Sequence, residues 1–74
     1  MTSMDEYVSI IKKAQVDKQV AEMRLASTNI AHSAACIEQN SNLEIRLRQE
    51  IHALQDIVLD NASIIFHCLA KQNE

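Results

Sequence analysis

The sequence predicts an all-α protein folded as an antiparallel two-helix hairpin. Three observations carry that prediction: no Gly or Pro among 74 residues, two Ser-x-x-Glu signatures at two helix starts, and two stripes of heptad spacing that mirror each other about one polar turn. Gly and Pro are the usual punctuation of a folded chain, so without them helix runs on until polar residues stop it. Only two polar clusters qualify, Ser27-Thr28-Asn29 and Gln39-Asn40-Ser41-Asn42.

The first helix starts near Met4. Ser3-Met4-Asp5-Glu6 has the capping-box form, in which the hydroxyl accepts from the amide three residues on and the Glu reaches back. The helix extends to about Glu38, giving a span of about 4–38. Ser27-Thr28-Asn29 offers either a break that would make three helices or small residues within one continuous helix, and the second fits the stripe described below. Ser41-Asn42-Leu43-Glu44 repeats the capping signature immediately after Asn40, and Asn is the non-Gly residue best suited to the left-handed conformation that ends a helix. The second helix is expected over about 42–71, with Lys71 at the negative end of its dipole.

In the second helix Leu47, Ile51, Leu54, Val58, Ile65 and Cys68 follow gaps of three and four, with Asn61 the one polar member of the row. That is a coiled-coil seam. Asn61 there either fixes register as a buried polar residue or faces water. In the first helix Val16, Val20, Met23, Ser27, Ile30, Ala34 and Ile37 keep the same spacing. A reversal between Asn40 and Ser41 would set Ala34 against Leu47, Ile30 against Ile51, Ser27 against Leu54, Met23 against Val58, Val20 against Asn61 and Val16 against Ile65. Small residues then oppose large ones, as close packing requires.

The chain reads as one domain over 1–74, since 8.4 kDa is below the size at which a second core forms. Seven basic against ten acidic residues give a net charge of −3. The acidic residues are interspersed with the basic ones along the chain, so the basic footprint of a nucleic-acid binder is missing. No uninterrupted apolar run has the length of a membrane span, and the N-terminal residues lack the basic start and apolar centre of a signal peptide. A cytoplasmic protein without membrane insertion is expected. Cys36 and Cys68 sit within helical pattern and read as reduced, packed thiols. His32, His52 and His67 show no C-x2-C or H-x3-H spacing, so neither a metal site nor a cofactor is expected. No nucleophile–base pair, phosphate loop or paired carboxylates can be picked out, and the chain does not read as an enzyme.

The apolar residues left over once the hairpin closes are the functional clue. Met4, Tyr7, Val8 and Ile11 point about 120° away from the Val16–Ile37 stripe at 100° per residue, and the first two turns overhang the second helix. On the second helix Ile57 and Ile64 flank the seam on one side, while Leu59 and Phe66 flank it on the other. With Leu69 they make Ile57 to Leu69 apolar around most of its circumference. No further element among the 74 residues covers this set, so Met4, Tyr7, Val8, Ile11, Ile57, Leu59, Ile64, Phe66 and Leu69 are the expected partner-binding residues.

From Met-Thr-Ser-Met-Asp-Glu-Tyr to Phe-His-Cys-Leu-Ala-Lys-Gln-Asn-Glu, the whole chain resembles the small needle co-chaperones of bacterial type III secretion systems, of the EscE/YscE-like kind. They are similarly short, acidic helical hairpins poor in Gly and Pro. The resemblance rests on length, composition and architecture, with no shared motif. It implies a cytoplasmic protein that binds a chaperone of tetratricopeptide (TPR-like) architecture and with it keeps the needle subunit unpolymerised until export. The alternative of a different class is a homodimeric four-helix bundle acting as a small regulator or adaptor.

Overall fold

The computed structural model describes residues 4–73, which form two helices, α1 (Met4–Ile37) and α2 (Ser41–Gln72). They pack antiparallel into a rod of 54 × 14 × 14 Å. The hairpin is as expected from the sequence. Ser3, the proposed cap of α1, lies outside the described residues. The helix continues without interruption through Ser27-Thr28-Asn29. Thr28 there satisfies its hydroxyl by donating to the Arg24 carbonyl at 2.7 Å, one turn back.

The reversal is tighter than the capping residues suggested, and its roles are shifted by one position. The left-handed residue is Gln39, at φ 58°, and Asn40 is extended at φ −90°, ψ 86°. The Gln39 amide donates to the Cys36 carbonyl at 3.2 Å and the Asn40 amide to the Ala35 carbonyl at 3.0 Å. These two bonds define a Schellman motif. Asn40 then caps α2 instead of Ser41, its side-chain oxygen accepting from the Leu43 amide at 3.2 Å. One Asn that both follows the left-handed residue and caps the next helix shortens the link to three residues, 38–40.

The seam on α2 is the expected one. Leu54 and Cys68 are buried, and Leu47, Ile51, Val58, Asn61 and Ile65 are half-buried between them. Asn61 donates to the Ile57 carbonyl at 2.9 Å, a local bond within its own helix. The seam on α1 is not the expected one. Val16, Val20, Met23, Ile30 and Ile37 are 50–83% exposed. The face turned toward α2 carries Ala14, Ala21, Thr28 and Ala35 buried, with Tyr7, Ile11, Lys18, Leu25 and His32 half-buried among them.

Both buried rows have identical spacing. Counted outward from the turn, Ala35, His32, Thr28, Leu25, Ala21, Lys18, Ala14, Ile11 and Tyr7 keep the same gaps of three and four as Glu44, Leu47, Ile51, Leu54, Val58, Asn61, Ile65, Cys68 and Gln72. The row that α1 turns inward lies two positions nearer the N-terminus than the one expected from sequence. A two-residue shift is a 200° rotation, which exchanges inner and outer faces. The physical reason is size. A small residue every seventh position lets the backbones approach closely, and the large α2 side chains fill the space over each Ala or Thr.

The core that results is slight. Its buried apolar members among the described residues are Ala14, Ala21, Ala35, Leu54 and Cys68, three of them alanine. Cys36, expected to be packed, is exposed.

Candidate functional site

The outer face of α1 is the largest consequence of that register. Val16, Val20, Met23, Ser27, Ile30, Ala34 and Ile37 remain in line at gaps of four and three, roughly 160° around the helix from the face that α2 covers. Apolar residues on opposite sides of one helix are the pattern of an element held between two neighbours. Here only one neighbour is present, and the stripe spans about 30 Å at 1.5 Å per residue.

The residues proposed from sequence fall into two groups. Met4, Val8, Ile57, Leu59, Ile64, Phe66 and Leu69 are exposed, with Phe66 at 76% the most open of them. Tyr7 and Ile11 are half-buried in the row that faces α2, so they belong to the seam. The overhang is correspondingly shorter than expected, since Met4 and Tyr7 lie beside Lys71 and Gln72. Ile45, Leu59 and Phe66 recur at multiples of seven on α2 and share one outer face, which adds Ile45 to the residues expected from sequence.

At the turn the two helices bring a second kind of group together. His32 and Cys36 are one turn apart on α1, and Glu44 lies in the first turn of α2. The His32 Nε2 is 2.9 Å from Glu44 Oε1, and the His32 Nδ1 is 4.0 Å from Cys36 Sγ. One ligand atom from each of the three lies within 4.8 Å of the others. Glu44 also accepts from Arg48, one turn further along α2. The His32 hydrogen bond, and secondarily the Arg48 guanidinium, hold the Glu44 carboxyl below the ordinary carboxylate range, against an opposing contribution from desolvation. The groove over this cluster is open to solvent and is lined by Ala35, Cys36, Gln39, Asn40, Ser41, Glu44 and Arg48. A thiol 4.0 Å from a ring nitrogen is too far for direct proton transfer between them. The signal in sequence is His32-x3-Cys36, a helical i, i+4 pair; its carboxylate partner is set by the turn.

By length and composition alone α2 is long and apolar enough to cross a membrane. This qualifies the expectation that no such segment exists. Asp56 and Asp60 in the middle of the helix oppose insertion at about 2.5–3.5 kcal/mol each when placed at the bilayer centre. No protein family, curated protein or solved structure matches this chain.

Proposed function

We propose that this protein is a non-catalytic interaction module whose hairpin presents the outer face of α1 to a helical protein partner. One observation carries the reading: Val16, Val20, Met23, Ile30 and Ile37 stand 50–83% exposed in a single heptad stripe while Ala14, Ala21, Thr28 and Ala35 face α2. A chain free to bury either row and standing alone would gain more by burying the larger side chains, at about 25 cal/mol per Å². Leaving them outside fits a chain that completes its core on another molecule.

The resemblance to type III secretion co-chaperones gives this partner its most specific form. A chaperone built of tetratricopeptide-like helical pairs offers a concave apolar groove into which a heptad stripe fits, and through it the hairpin would help keep a needle subunit unpolymerised in the cytoplasm. The exposed Leu59 and Phe66 on α2 would supply a second contact, toward the same partner or toward its cargo. The alternative is a homodimeric four-helix bundle. The alternation of large Val20, Met23 and Ile30 with small Ser27 and Ala34 favours it, because such a stripe interdigitates with an antiparallel copy of itself.

The test is affinity purification of the tagged full chain from its native host, alongside analytical ultracentrifugation of the purified protein. The interaction reading expects a helical protein retained by the wild type and lost from Met23→Lys and Ile30→Lys, with both variants keeping the wild-type helicity. A monodisperse two-chain species of the purified protein that both substitutions dissociate establishes the four-helix bundle instead. Retention of the same partners by both variants would exclude the α1 stripe as the interface.

A further inference from the structure

We propose that His32 Nδ1 and Cys36 Sγ form a binding site for a thiophilic divalent cation of the zinc class at the turn end of the hairpin, with Glu44 as the positioning residue of the imidazole. The site is separate from the apolar stripe and independent of the interaction reading.

The two donor atoms are suitably spaced. A zinc ion bound 2.3 Å from a thiolate and 2.0–2.1 Å from an imidazole nitrogen separates the donors by about 3.6 Å at the tetrahedral angle and by about 4.3 Å at full extension. The observed separation of 4.0 Å lies between these limits. An i, i+4 pair on one helix stacks its side chains on a single face, so no rearrangement of the backbone is needed. Thiolate with imidazole is also a donor set that selects zinc and soft metals over magnesium or calcium.

Glu44 supplies what a ligating histidine needs on its far side. With Nε2 as donor to Oε1 at 2.9 Å, the ring carries its proton there and leaves the Nδ1 lone pair free toward Cys36. This carboxylate–histidine arrangement fixes the tautomer and the orientation of the ring. Arg48 is already matched by the same carboxylate. Cys36 is exposed, so solvent can fill the remaining coordination positions. Binding releases one proton from the thiol, which leaves as the thiolate–metal bond forms, and involves no change of oxidation state.

The experiment titrates the reduced full chain with cobalt(II), whose thiolate charge-transfer absorption reports sulfur ligation, and then displaces it with zinc(II). Wild type should show a saturable thiolate–cobalt band that zinc abolishes. Cys36→Ser and His32→Gln should lose it, while Cys68→Ala and His52→Ala should keep it. Glu44→Gln should retain the band with affinity about 10–100-fold weaker. Far-UV circular dichroism of each variant establishes that its helices persist, and Cys36→Ser, at an exposed position, keeps the test decisive if His32→Gln loses helicity. The proposal is overturned if the wild type shows no saturable thiolate–cobalt band, or if Cys36→Ser binds as tightly as wild type. Unchanged affinity in Glu44→Gln would remove Glu44 from the site.

Discussion

His32 Nε2 and Glu44 Oε1 lie 2.9 Å apart across the hairpin, though they are twelve positions apart in sequence. This contact ties the last turns of α1 to the first turn of α2, next to a link of only three residues. It also makes the turn end of the rod sensitive to acid. The Glu44 carboxyl is held below the ordinary carboxylate range by its bond to His32 first and by Arg48 second. Its stabilising contribution is therefore complete above the ordinary range and is lost as pH falls through the lowered value. Thermal melts should place Glu44→Gln below wild type at neutral pH and bring the two curves together in strong acid. A difference that persists unchanged down to strong acid would mean the ionised carboxylate is not the stabilising group.

The small-residue seam makes a prediction about volume. Ala21 is buried where the backbones approach, so Ala21→Leu should overpack the seam and cost about 1–3 kcal/mol. Leu54, 5% exposed in the facing row of α2, should cost about 2–5 kcal/mol on truncation to Ala. Circular dichroism melts of the two variants check both, and an Ala21→Leu protein as stable as wild type would show that α1 does not approach α2 on this face.

A third prediction concerns the thiols. Cys36 sits beside the turn and Cys68 near the far end of α2, roughly 35 Å away along the axis at 1.5 Å per residue. An intramolecular disulfide requires Cα atoms within about 7 Å, so mild oxidation should yield no disulfide-bonded monomer. Exposed Cys36 should instead cross-link two chains, and Cys36→Ser should abolish that dimer on non-reducing gels.

How far the sequence could be read follows from where two alternatives had equal spacing. The hairpin was legible because a chain without Gly or Pro has few places to turn, and because the α2 row from Leu47 to Cys68 contains a single polar residue. The inner face of α1 was not. Two rows on that helix keep gaps of three and four, and the rule that larger apolar residues go inside selects Val16, Met23 and Ile30. The row that does go inside includes Lys18 and His32, half-buried, and presents alanine where bulk is expected. Lys18 remains tolerable there because its ammonium reaches Glu22, one turn on, at 3.2 Å. The turn cluster was half legible: His32-x3-Cys36 is written in the sequence, whereas Glu44 joins it only because Gln39 takes the left-handed conformation and Asn40 caps α2.

α1 turns its small residues toward α2 and its large ones outward. Disulfide trapping tests it most directly, in a background carrying Cys36→Ser and Cys68→Ala. Thr28→Cys with Ile51→Cys should oxidise rapidly to a bridged monomer, since both positions lie on the rows that face each other, while Ile30→Cys with Ile51→Cys should not, since Ile30 is 74% exposed on the outer face. Rapid bridging of the Ile30 pair and none of the Thr28 pair would contradict it and would place the large residues inside the hairpin.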